Sequence, residues 1–202
     1  MIELAPGVTL RKACLDRAGQ EILRDAVRAV VREAPLFTPT MPGNAKPFSV
    51  RMTNCGALGW ISDAGGYRYA RAHPATGAPW PPIPDCVEAV WREVAACSAL
   101  PEACLVNFYE ASARMGLHQD RDEADFEAPI VSISLGDSCR FRFGGAKRTD
   151  RTKSIVLDSG DVVVFGGPAR LMFHGVDRIL PDTSTLLPAG GRINLTLRRV
   201  TK

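Results

Sequence analysis

The chain has 202 residues, enough for one well-buried domain and short for two. Apolar residues make up 46% and charged residues 23%, which excludes a disordered or fibrous chain; the net charge of +3 permits a polyanionic partner without requiring one. Six cysteines lie scattered with no C-x-x-C pair, and no stretch approaches a membrane span, so we expect reduced thiols, no membrane and a cytoplasmic location.

From Leu15 to Ala34 apolar residues fall at 15, 18, 22, 23, 26, 27, 30 and 31, the stripe of one amphipathic helix. Asp16 reads as its N-cap and Pro35 as its stop. Residues 37–84 follow, rich in proline, glycine and aromatics with little periodicity, and we read them as a lid over a site. Within it, short hairpins are expected around 49–54 and 67–70. Trp60, flanked by glycines, is expected to offer a stacking surface, and Trp80, among prolines, to anchor the lid's base. A second helix is predicted from about Asp85 to Ser98, with Val87, Val90, Trp91 and Val94 inward. After Pro101 the pattern turns to about eight short strands, at 103–109, 114–120, 130–135, 139–143, 154–157, 161–165, 171–176 and 192–200. Asp158-Ser159-Gly160-Asp161 reads as a hairpin turn. The order of elements predicts one α+β, mainly β domain: a two-sheet sandwich or jelly roll supported by N-terminal helices on one side.

The chemistry concentrates in three places. His118 and Asp120, two apart, would point to one side of a strand, and His174, 54 residues after Asp120, would complete a set of two imidazoles and a carboxylate. Such a set holds one face of an octahedral metal and leaves the other open, although zinc accepts the same ligands. In the last strand Arg192, Asn194, Thr196 and Arg198 share one parity while Ile193, Leu195 and Leu197 share the other. A polar row with two guanidinium groups suits a carboxylate inside a β-structure. Asn107 and Tyr109 share a parity upstream and could serve the same co-substrate, although a tyrosine there also suits a core position.

Met52-Thr53-Asn54-Cys55-Gly56, Leu58-Gly59-Trp60, Asn107-x-Tyr109, His118-Gln119-Asp120-x-Asp122-Glu123, His174-Gly175 and Arg192-x-Asn194-Leu195-Thr196-x-Arg198 together resemble bacterial AlkB. The resemblance runs from about residue 40 to the C-terminus, with Arg114 where a lysine is common and Phe165 where a tryptophan is found. It implies a double-stranded β-helix core and a nucleotide-recognition lid, matching 37–84. It also implies an enzyme that uses Fe(II), 2-oxoglutarate and O2 to hydroxylate N-methyl groups of alkylated bases, releasing formaldehyde. By resemblance His118, Asp120 and His174 would ligate iron, and Asn107, Tyr109, Arg192, Asn194 and Arg198 would bind 2-oxoglutarate. Trp60 and the His118 ring would sandwich the flipped base, with Met52 and Tyr67 near it, Asp122 and Glu123 at its edge, and Arg148 on the nucleic acid. The partner implied is alkylated single- or double-stranded DNA, with RNA a further candidate, and the protein is expected to act as a monomer.

Charge runs fit that implication. Five acids and two arginines lie in 114–127, six bases and one acid in 139–153. The acids suit cationic lesions such as 1-methyladenine and 3-methylcytosine, and the bases suit phosphates. A hydroxylase of the same core acting on a small molecule or protein is the alternative. A non-catalytic module holding zinc is a third reading, and it has no use for an open metal face.

Overall fold

The computed structural model describes all 202 residues, and its layering follows from which side chains each strand sends to which face. The chain opens with a hairpin, β1 (Ile2–Ala5) and β2 (Val8–Arg11), which the sequence does not announce. Helix α1 (Arg17–Glu33) starts where expected: the Asp16 side chain accepts from the Gly19 N–H at 2.8 Å. Three strands follow in the region read as irregular: β3 (Arg51–Gly56), β4 (Gly59–Asp63) and β5 (Gly66–Ala70). Helix α2 (Asp85–Val94) ends four residues before the predicted Ser98.

Eight strands then occupy the predicted positions: β6 (Ala103–Tyr109), β7 (Met115–His118), β8 (Ile130–Gly136), β9 (Ser138–Phe143), β10 (Lys153–Leu157), β11 (Val162–Phe165), β12 (His174–Leu180) and β13 (Arg192–Arg198). Two of them differ materially. Strand β7 stops at His118, so Asp120 lies in a loop; β12 begins at His174, not at Leu171.

Seven strands form one sheet in the order β1-β2-β11-β8-β13-β6-β3, and four form another, β10-β9-β12-β7. The hairpin β4-β5 stands apart. The lid reading of 37–84 therefore needs correction: β3 pairs with β6 over Arg51–Gly56 and is an edge of the main sheet. The 158–161 turn is also no hairpin, because β10 and β11 belong to different sheets, and it carries the chain from one to the other.

Parity sorts the main sheet into two faces. Cys104, Val106, Val131, Ile133, Leu135, Ile193, Leu195 and Leu197 pack with Leu23, Val27 and Val30 of α1 and Val87, Val90 and Trp91 of α2. Trp91 is fully buried there. The opposite face meets the small sheet, where Leu105, Tyr109, Val163 and Phe165 pack with Phe141, Phe143, Leu157 and Val176. This is the sandwich expected, with helices on one side only. The six cysteines are all free thiols, three of them buried. No helix is long and apolar enough to cross a membrane.

Candidate active site

Between the sheets lies a cavity of about 700 Å³, and it is lined by the inner row of β13 together with the ends of β7 and β12. His118 and His174 face each other across the β7–β12 ladder, directly paired in register. Glycine at 175 makes that approach possible, since a Cβ there would sit 2.6 Å from the Met115 carbonyl oxygen. The two rings lie 4.5 Å apart between centroids. Asp120 reaches them from its loop, with Oδ1 3.6 Å from His118 Nε2 and Oδ2 3.8 Å from His174 Nε2. All three donor atoms lie within 4.8 Å of one another.

Both histidines are preset for ligation. The Nδ1 of His118 donates to the Gly116 carbonyl at 2.9 Å and that of His174 to the Met172 carbonyl at 3.0 Å. A carbonyl only accepts, so each proton sits on Nδ1 and each Nε2 lone pair faces the centre. His174 is also stacked on Phe165, 5.0 Å between centroids. Burial, and then the neighbouring His118, bring its pKa down to about 4, so it is neutral at ordinary pH. Burial would raise the Asp120 carboxyl, but Arg198 and the two imidazoles outweigh it and hold the group far below the usual carboxylate range. The third histidine, His73, is structural: its Nε2 donates to the Pro35 carbonyl, and its Nδ1 accepts from the amides of Ala75 and Thr76.

The arginine row points inward, as its parity predicts. Arg192 is 1% exposed and donates to Ser134 Oγ at 2.7 Å and to the Asp137 carbonyl at 3.2 Å. Its Nε has no partner, nor does Asn107 Oδ1, although both are buried. Two unsatisfied polar atoms on the wall of one cavity are what a polar ligand would complete. A cationic grip, an amide and Tyr109 beside an N,N,O donor set fit iron with a dicarboxylate. Asn194 donates to Ser132 Oγ and accepts from Thr196, so it braces the row. Arg198 is turned to carboxylates: its Nη2 lies 2.9 Å from Asp120 Oδ2 and its Nε 3.5 Å from Glu123.

The base-side residues divide. Met52, Trp60, Tyr67, Asp122 and Arg148 all line the cavity. Trp60 stacks on Tyr67, with centroids 5.6 Å apart and planes at 18°, and its Nε1 donates to Asp122 at 2.8 Å. Arg148 lies over the Phe173 ring at 5.5 Å. Glu123, expected at the base edge, lies elsewhere. Its side chain is 1% exposed, outside the cavity lining, and it pairs with Arg170 at 3.1 Å. Trp80 does anchor the hairpin β4-β5, donating to the Ala70 carbonyl at 2.9 Å.

Sequence reasoning missed Tyr69 and Arg170. Tyr69 donates to Glu123, and Arg170 donates to the carbonyls of Asp120 and Ala128. Nothing near Arg170 in the sequence marks it; an arginine among Ala169, Leu171 and Met172 is the only hint that it is buried.

A family model described as the 2OG-Fe(II) oxygenase superfamily matches residues 7–198. The alpha-ketoglutarate-dependent dioxygenase AlkB homolog of Caulobacter vibrioides is 52% identical over 198 residues, covering 98% of this chain and 90% of its own. The AlkB of Escherichia coli K12 is 39% identical over 203 residues, covering 98% and 93%. The solved structure of OsALKBH1 superposes with a TM-score of 0.80 at 32% identity, covering 98% of this chain and 99% of that one.

Proposed function

Because this chain belongs to the AlkB family of the 2OG-Fe(II) oxygenase superfamily, we propose that it is an oxidative demethylase repairing N-alkylated bases. The reaction uses Fe(II), 2-oxoglutarate and O2. The substrates in this reading are 1-methyladenine and 3-methylcytosine in DNA, and also in RNA, with the protein acting as a cytoplasmic monomer. The observation that carries it is the union of an inward N,N,O donor set with a half-satisfied arginine row in one cavity.

In this reading His118, Asp120 and His174 hold the metal, which supplies the oxidising power when bound with 2-oxoglutarate and O2. The chain's own contribution is binding and orientation. Arg192, with Asn107 and Tyr109, would hold 2-oxoglutarate; Asn194 keeps the row aligned. Arg198 is a buried counter-charge for Asp120, keeping that carboxylate ionised and its second oxygen oriented. Burial of His174 and Asp120 excludes water, except through the mouth formed by Trp60, Tyr67 and Asp122. A base stacked in a duplex cannot reach this depth, so it must be extruded or already unpaired. Trp60 and His118 offer aromatic faces to it, each base–aromatic stack being worth about 1–3 kcal/mol. Asp122 is an acceptor that also bears a negative charge, which favours a cationic lesion. Arg148 meets the phosphates.

Mass spectrometry of methylated DNA and RNA oligonucleotides incubated with the protein, Fe(II), ascorbate and 2-oxoglutarate tests this. Loss of about 14 mass units per lesion, a methyl group replaced by hydrogen with its carbon released as formaldehyde, is expected, and His118→Ala should show none of it. Turnover of 2-oxoglutarate that methylated oligonucleotides leave unstimulated would favour the small-molecule or protein hydroxylase.

A further inference from the structure

The loop from Gln119 to Pro129 follows the metal-ligand strand and carries five acids, yet its fold is organised by one arginine from elsewhere. Arg170, 4% exposed, uses all three guanidinium nitrogens. Nη1 donates to the Asp120 carbonyl at 2.8 Å, Nε to the Ala128 carbonyl at 3.0 Å, and Nη2 to Glu123 Oε2 at 3.1 Å. It therefore ties the two ends of the loop together and takes the Glu123 carboxylate at its middle. The Phe126 ring covers it, 5.3 Å from centroid to guanidinium carbon.

The other oxygen of Glu123 is spoken for by the lid. Tyr69 Oη donates to Glu123 Oε1, and Arg198 Nη1 stands 3.5 Å from the same phenol oxygen. Tyr69 lies on β5 directly opposite Trp60 on β4. Directly opposed residues share a face of a two-stranded ribbon. Trp60 is thus tied to this loop by two routes, through the backbone ladder to Tyr69 and through its own bond to Asp122, the residue next to Glu123. Two guanidinium groups and two carboxylates balance in this buried cluster, so no charge is left unpaired. Tyr69, Glu123 and Arg170 all stand behind the cavity wall, not in it.

We propose that Glu123 is a positioning residue: locked by Arg170, it holds Tyr69 and so sets the height of Trp60 over the base slot relative to Asp120. This rests on the demethylase reading above. It assigns Glu123 a role different from contact with the base, and it makes the lid hairpin and the metal-ligand loop one mechanical unit. A hydrogen bond to a charged acceptor is among the stronger ones; its loss would leave Trp60 held by the Asn54 side chain and by Asp122, without the tie that runs through Tyr69 to the metal-ligand loop.

The test uses Tyr69→Phe, which removes one oxygen and keeps the ring, and Glu123→Gln, which removes the charge. Binding of a methylated oligonucleotide to the Mn(II)- and 2-oxoglutarate-loaded protein under nitrogen is measured by fluorescence anisotropy, beside steady-state kcat and KM. Both variants should raise Kd and KM about tenfold, with kcat within about twofold in Tyr69→Phe, and the double variant should be no worse than the weaker-binding single. Affinity for 2-oxoglutarate, titrated separately, should move less than about twofold in Tyr69→Phe. A fall in melting temperature with oligonucleotide Kd unchanged would assign the cluster to stability alone and overturn the proposal; so would additive effects in the double variant. Should Tyr69→Phe fail to fold, Glu123→Gln is judged by the same Kd criterion. If the wild-type protein itself neither binds nor repairs the oligonucleotide, it is the demethylase reading that has failed.

Discussion

Asp122→Asn isolates charge from hydrogen bonding at the mouth of the site. Asp122 accepts from Trp60 Nε1 at 2.8 Å, and an asparagine carbonyl oxygen can accept the same bond. Alanine would lose both the charge and the tether of Trp60, and so confuse two effects. The residue is exposed, so the dielectric around it is closer to water than to a protein interior. Two unit charges about 4 Å apart in water attract by ~1 kcal/mol. That corresponds to a rate difference of about fivefold. The variant should therefore lose about fivefold in kcat/KM on 1-methyladenine and 3-methylcytosine, which are cationic. Neutral etheno lesions should change by less than about twofold, since they gain nothing from the charge. The assay is single-turnover repair of matched oligonucleotides differing only in the lesion, at low and high salt. The gap between the lesion classes should narrow as salt rises. Equal losses on both classes, or a gap indifferent to salt, would refute the charge-matching argument.

Other consequences follow from the same geometry. Arg192→Leu should weaken 2-oxoglutarate binding by about a hundredfold or more, because truncating one partner of a buried charge pair costs about 2–5 kcal/mol; calorimetry with Mn(II) under nitrogen reads it, and a change under threefold would contradict it. Leu195→Ala, at a fully buried position, should destabilise the domain by about 2–5 kcal/mol in urea without altering the order of lesion preference. In metal-free protein His174 has a folded pKa near 4, below its unfolded value near 6.5. The unfolded chain therefore binds the extra proton first, so the contribution to stability is present above about pH 6.5 and is lost as pH falls towards 4. Replacing His174 with Gln should flatten thermal stability across that window.

What the sequence made legible was whatever a single segment decides. The alternation Arg192, Asn194, Thr196, Arg198 against Ile193, Leu195, Leu197 settles both faces of β13, because a strand has period two and one face is buried against helices. Helix α1 carried its own cap and stop. Pairings across the chain were less accessible. The turn at 158–161 has hairpin chemistry, but local residues do not say that its two strands join different sheets. Strands β1 and β2 have four residues each, too few for a periodic signal. Asp120 joins the donor set for a reason other than strand parity, which ends at His118: Arg170 holds its backbone carbonyl and Arg198 its carboxylate. Glu123 sits in an acidic run that the resemblance assigns to the base edge; its burial depends on Arg170, 47 residues away, and on Tyr69, 54 residues away.

The central claim is that three side chains and an arginine row hold one ferrous ion beside 2-oxoglutarate. Anaerobic titration of the purified protein with Fe(II), then with 2-oxoglutarate, measures it by metal analysis and visible absorption. One iron per chain is expected, with an absorption band that appears only after 2-oxoglutarate is added and is absent in Asp120→Ala. Iron bound equally well by Asp120→Ala, or no new band in the wild-type protein, would contradict the account.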